Sequence, residues 1–164
     1  MERPPFFRAG VGAMIVNARG EILVLERVDV PGAWQMPQGG IEAGESPRDA
    51  VMREVAEETA IPARALSMVA EAPEWLAYEL PASYRSRKTG LGQVQRWYLF
   101  RFTGVDDDIR PGHAEFRAWR WVTRSALLEL AVEFRRPVYA RLLTEFGAWL
   151  LASGAGGRAA GGGR

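Results

Sequence analysis

Residues 39–61 read G-G-I-E-A-G-E-S-P-R-D-A-V-M-R-E-V-A-E-E-T-A-I, and the rest of the chain is interpreted around them. Ser46 suits a helix N-cap, Pro47 the first helical position and Asp49 the place of a capping-box acid. Pro62 marks the far end of that helix. With about 100° between successive residues, Glu54, Glu57 and Glu58 share one face, while Val51, Met52, Val55 and Thr59 fall on another. The helix can therefore bury one stripe and aim three carboxylates elsewhere. Clustered acids repel one another unless a positive charge neutralises them. Mg²⁺ and Mn²⁺ favour carboxylate oxygens, and Mg²⁺ also bridges protein to substrate phosphates. A solvated acidic face is the alternative for an isolated E-x-x-E-E; the glycine turn set before a capped helix argues against it.

The chain around this stretch has 164 residues, enough for one domain with a real core. Its formal charge of +1 gives no global field that would draw in nucleic acid or membrane. Charge is nevertheless unevenly distributed. Residues 40–60 hold six acids and two bases, whereas residues 84–101 hold five bases and no acid. An acidic metal site beside a basic strip suits a polyanionic substrate. The absence of cysteine excludes disulfides, zinc–thiolate sites and thiol nucleophiles, and fits a reducing cytoplasm. The N-terminus lacks an apolar signal region and no apolar run reaches transmembrane length. A cytoplasmic protein without membrane contact is expected.

Moving outward, residues 11–17 and 21–27 form a hairpin about Ala18-Arg19-Gly20, and 34–36 a short extended piece before a glycine turn at 37–40. Strands are expected at 65–72 and 75–80, followed by a polar basic loop over 81–92. The longest strand spans 93–103, with Trp97 and Leu99 phased against Phe100 and Phe102. A further strand covers 116–122, and helices cover 125–130 and 138–151, the latter burying Leu142, Leu143, Phe146 and Leu150. Asp106–Asp108 reads as a solvated loop without calcium-loop spacing. Residues 1–152 form one domain; 153–164, rich in glycine and alanine, are expected to be disordered.

The spacing G-x5-E-x7-R-E-V-x-E-E, from Gly39 through Glu45 to Arg53–Glu58, resembles the Nudix box of hydrolases that cleave nucleoside diphosphates linked to another moiety. Ala60 departs from it, standing where the family usually has glycine; a positive φ there would be strained. Beyond the box, W-Q-M-P-Q-G-G-I at 34–41, E-W-L-A-Y-E-L-P at 74–81, G-Q-V-Q-R-W-Y-L-F at 92–100, E-F-R-A-W-R-W-V at 115–122 and F-R-R-P-V-Y at 134–139 resemble the RNA pyrophosphohydrolase and dinucleoside polyphosphate hydrolase branch. Two departures stand out: Ala9-Gly10 where the branch has Pro-Asn, and Val94 and Arg96 where it has two lysines.

The resemblance implies an α/β Nudix fold, a mixed, curved β-sheet sandwiched between α-helices. It implies Mg²⁺ or Mn²⁺ held by Glu54, Glu57, Glu58, Glu115 and Gly39, with Glu54, Glu57, Arg53 and Glu115 as the catalytic set. Arg53 is expected to hydrogen-bond a box glutamate such as Glu45. Arg8, Arg27, Tyr78, Phe134 and Arg135 are the implied substrate contacts, Arg27 and Phe134 offering planar surfaces to an unpaired base. His113 is expected in an exposed loop. The implied reaction is metal-assisted attack of water on a pyrophosphate linkage. Its substrate would be triphosphorylated or diphosphorylated 5′-RNA, whose processing initiates mRNA decay, or diadenosine tetra- or pentaphosphate. A non-catalytic nucleotide-binding module is the reading of a different class. A monomer without a stable protein partner is expected.

Overall fold

The computed structural model of the protein describes residues 5–150. The strands are β1 (Phe7–Val16), β2 (Ile22–Arg27), β3 (Trp34–Gln35), β4 (Gln38–Gly40), β5 (Leu66–Glu71), β6 (Leu76–Glu79), β7 (Gly92–Phe102) and β8 (Phe116–Val122). Helix α1 (Pro47–Thr59) follows β4, and α2 (Arg124–Leu130) and α3 (Arg136–Glu145) follow β8. All eight strands join one mixed sheet with a β3-β2-β1-β7-β5 path; β4 pairs with β1, β6 with β7 and β8 with β2. Only β1 and β7 run parallel, in register from Phe7–Gly92 to Val16–Arg101; the other pairs are antiparallel.

The central strands carry apolar residues on both faces because both faces are covered. Along β7, side chains alternate between two cores. Trp97 and Leu99 join Met14, Val24, Leu127, Tyr139 and Leu142 beneath α2 and α3. Tyr98, Phe100 and Phe102 join Ile15, Leu23, Val51 and Val55 beneath α1. The expected sandwich of a mixed sheet between helices is thus present.

Three local expectations change. The first strand begins at Phe7, so Arg8 lies within it. Residues 38–40 form a short strand rather than a turn, because their backbone pairs with Gly10, Val11 and Gly12 of β1; the turn with positive φ lies at Gly44. Consequently β1 meets β2 only at Val16–Ile22 and gives its other half to β4, so the sheet parts along β1. Finally, α3 is broken by a turn at Phe146, after which helix resumes over 147–150, so the expected helix of 138–151 is interrupted once. Residue 151, the boundary at 152 and the tail 153–164 lie outside the described residues. None of the described helices is long and apolar enough to cross a membrane.

Candidate active site

Helix α1 is set by its caps. Ser46 Oγ accepts from the Asp49 N–H at 3.1 Å, Pro47 occupies the first turn, and Ala50, Val51, Val55 and Thr59 are buried. At the far end Ala60 caps the helix with φ 58°, the sole non-glycine positive φ among the described residues. The family's usual glycine position keeps its left-handed conformation here although an alanine fills it.

This geometry turns the box side chains into a cleft of about 570 Å³. Arg53 is the hub of its inner corner. Its Nε and Nη2 donate to the two Glu45 oxygens, both at 2.8 Å, Nη2 also donates to the Gly40 carbonyl at 2.9 Å, and Nη1 donates to Glu54 at 2.9 Å and Glu57 at 3.4 Å. Glu45 completes a loop closure by accepting the Glu42 N–H at 3.0 Å. Such a fork of charged hydrogen bonds fixes orientation as well as charge. Arg53 and that backbone N–H hold the Glu45 carboxyl down at about 2, and Glu45 in turn raises the Arg53 pKa.

The glycines of β4 are required by close approach, not by turning. A Cβ on Gly39 would collide with the Glu54 carboxylate, and one on Gly40 with the Arg8 guanidinium. Glu58, expected on a face turned away from the buried stripe, is instead 5% exposed and accepts the Gln38 N–H at 3.0 Å. Burial raises its pKa well above the usual range, and the charges of Glu54 and Glu115 push it further. Burial also raises the Glu54 pKa, opposed by Arg53 and assisted by Glu57 and Glu115.

Every candidate site residue named from the sequence lines this one cleft: Arg53, Glu54, Glu57, Glu58, Glu115 and Gly39 together with Arg8, Arg27, Tyr78, Phe134 and Arg135. Arg27 does not lie free. Its Nε and Nη2 grip Asp29, both at 2.8 Å. Phe134 stacks on Tyr78 with centroids 5.6 Å apart and planes 29° from parallel. The Arg135 guanidinium lies over Phe134 at 5.1 Å and over Tyr78 at 5.8 Å. Gln38 Nε2 donates to the Tyr78 hydroxyl at 3.3 Å, while Gln38 Oε1 and Arg135 Nε are buried with no hydrogen-bond partner among the described residues. Such orphaned polar atoms suit a site that takes a polar ligand. His113 is exposed, as expected.

Asp29, Gln38 and Tyr84 also line the cleft and were not identified from sequence; the acid two residues after Arg27 was the one available signal. The basic strip of 84–101 does not act as a unit. Arg96 is paired with Glu71 at 2.7 Å, and of the cations in the 84–101 strip Lys88 alone lines the cleft.

Residues 6–142 match the NUDIX domain. The chain belongs to the Nudix family. An RNA pyrophosphohydrolase of Rhodospirillum rubrum is 49% identical over 144 residues, covering 85% of this chain and 86% of that protein. Among solved structures, the E. coli dihydroneopterin triphosphate pyrophosphohydrolase superposes with a TM-score of 0.71 at 22% identity, covering 84% of this chain and 97% of the other. A C. elegans Ap4A hydrolase binary complex gives 0.69 at 24% identity, covering 88% and 98%. These two structures establish the Nudix fold.

Nudix hydrolases generally use divalent cations, and the residues fit one. The donors are carboxylate oxygens, the set preferred by hard cations, and the mutual repulsion of Glu54, Glu58 and Glu115 is the stress a cation relieves. Among the described residues no three acidic or imidazole groups stand together as a ready-made cage. Arg53 takes up an oxygen from both Glu54 and Glu57, and Gln38 holds Glu58.

Proposed function

We propose that this Nudix enzyme is an RNA pyrophosphohydrolase, releasing pyrophosphate or phosphate from the 5′ end of triphosphorylated or diphosphorylated RNA. The observation that carries the reading is one cleft lined both by box carboxylates and by an aromatic and guanidinium platform. Phosphates and a nucleobase can be held there at once. The 49% identity to an RNA pyrophosphohydrolase over most of both chains supports the same choice.

Glu54, Glu57, Glu58, Glu115 and the Gly39 carbonyl are the groups that would hold Mg²⁺ or Mn²⁺. When bound, such a cation lowers the pKa of a water and screens phosphate charge. Arg53 orients Glu54 and Glu57 against the attacked phosphorus, and one of that pair receives the proton of the attacking water. Arg8, beside the Gly40 backbone, meets the phosphate chain. Phe134 and Arg27 take the base between flat surfaces, as aromatic and guanidinium planes do with unpaired bases. The phosphoanhydride bond breaks, leaving a 5′-monophosphate on the RNA.

Stacking on Phe134 does not tell an RNA base from the base of a dinucleoside polyphosphate, which is the second reading of the same cleft. Steady-state hydrolysis of 5′-triphosphorylated RNA and of diadenosine tetraphosphate, compared under Mg²⁺, separates the two. A higher kcat/KM for RNA is expected; turnover of the dinucleotide alone rejects the RNA assignment. The reading makes this a protein of the cytoplasm, where such RNA resides, acting as a monomer.

A further inference from the structure

Past Phe134 the cleft continues outward as a second aromatic step and a cationic loop. The Tyr84 ring stands 5.7 Å from that of Phe134, tilted by 55°. The three rings therefore run from Tyr78, 6% exposed, through Phe134 to Tyr84, 49% exposed. Directly after Tyr84 come Arg85, Arg87 and Lys88.

The loop is built rather than loose. Arg85 Nε donates to the Leu80 carbonyl at 2.8 Å, tying the loop to the end of β6. Ser86 Oγ accepts the N–H groups of Lys88 and Thr89 at 3.2 and 3.1 Å, Thr89 Oγ1 accepts the Ser86 N–H at 2.8 Å, and Gly90 closes the turn with φ 64°. Arg87 and Lys88 are exposed, and neither is ion-paired among the described residues. Of the arginines lining the cleft, Arg53 is paired with Glu45 and Arg27 with Asp29.

We infer that Tyr84, Arg87 and Lys88 form an exit track for single-stranded RNA, stacking a downstream base and meeting the phosphates that follow it. The inference rests on the RNA reading and deepens it. Non-specific single-strand binders combine stacking aromatics with a positive groove that follows the backbone; Tyr84 and Lys88 line the cleft, and the exposed Arg87 adjoins Lys88 just outside it. A dinucleoside polyphosphate, whose charge lies between its two nucleosides, has no downstream phosphates to reach the loop. The track thus separates a polynucleotide from a dinucleotide where the inner cleft does not.

The test is anisotropy binding of 5′-monophosphorylated RNA, as a dinucleotide and as a strand of about twelve nucleotides, over a series of salt concentrations. Turnover of the 5′-triphosphorylated forms is measured beside it. Wild type should bind the longer strand more tightly. Arg87→Ala and Lys88→Ala should each flatten its logarithmic salt slope by about 0.7, and together weaken it about tenfold as two lost phosphate contacts would. Tyr84→Ala should weaken the longer strand at every salt concentration with its slope retained. Arg87→Ala should leave diadenosine tetraphosphate hydrolysis unchanged. A longer strand bound no better than the dinucleotide, or salt slopes untouched by the variants, overturns the track. Wild type that binds length-dependently yet hydrolyses no triphosphorylated RNA refutes the activity and leaves the track standing.

Discussion

The cleft has two arginine–carboxylate forks of the same chemistry and different standing. At the inner corner Arg53 serves Glu45, Glu54, Glu57 and the Gly40 carbonyl, and both Arg53 and Glu45 are mostly buried. At the outer edge Arg27 grips Asp29 with equally short bonds, but the Asp29 side chain is 62% exposed. Exposed pairs are worth roughly 0–1 kcal/mol, so Arg27 can trade its acid for a substrate at small cost. Arg53 cannot release one partner without freeing the rest. Chemistry is held rigid, and recognition is left adjustable.

Breaking the inner corner should cost most. Glu54→Gln or Glu57→Gln should lower kcat by about 10²–10⁴, the usual contribution of proton transfer and charge placement. The fold should survive, as circular dichroism would report, and unchanged turnover would remove these residues from the catalytic set. Arg53→Lys keeps the charge and loses the fork. It should cost about 1.5–3 kcal/mol of stability, the scale of a charged hydrogen bond, together with at least a tenfold fall in kcat, read by denaturant unfolding and steady-state kinetics. At the outer platform, Phe134→Ala should cost about 1–3 kcal/mol of substrate affinity, seen in KM with kcat nearly constant; a loss in kcat alone would move Phe134 to the inner group.

The inner corner also has a pH signature. Glu45 has its pKa lowered from 4.5 to about 2 by Arg53 and the Glu42 N–H. Its stabilisation is therefore complete above the ordinary carboxylate range and is lost as pH falls from about 4.5 through about 2. The melting-temperature gap between wild type and Glu45→Gln should be widest near neutrality and close in that acid window. A gap constant with pH would mean that the fork contributes shape alone. The smallest change is Ala60→Gly, which relieves a left-handed alanine and should gain at most about 1 kcal/mol, a rise of about 2–4 °C. A lower melting temperature would show that the backbone there is unstrained.

What sequence conveyed about these two regions follows how local each signal is. The cap at Ser46 and the glutamate spacing depend on neighbours within one turn or one loop and were legible, whereas the Arg53–Glu45 contact, eight positions apart, came only with the family resemblance. The phasing of β7 was legible because period two places Trp97 and Phe100 in different cores. By contrast β4 has three residues, two of them glycine, and is a strand only because β1 pairs with it. Arg8 interrupts the apolar run of β1, which hid the strand's true start. Glu58 read as a ligand aimed away from the core because helical periodicity does not know that β4 will cover it. Gln38 meets Tyr78 from forty positions away, and Tyr84 meets Phe134 only once β6 and the segment before α3 are side by side.

The parallel seam of β1 and β7 has a consequence for how this enzyme is made. Helix α1 packs on a core that includes Ile15 of β1 and Tyr98, Phe100 and Phe102 of β7. Parallel pairing between strands so far apart in sequence is slow to form, because loop closure must precede its reward. On the ribosome the complete catalytic box therefore emerges well before the strand that finishes its floor. Nascent chains halted before Arg101 would carry every box carboxylate and still lack a working site, so activity should begin only once β7 and, after it, Glu115, Phe134 and Arg135 have left the exit tunnel.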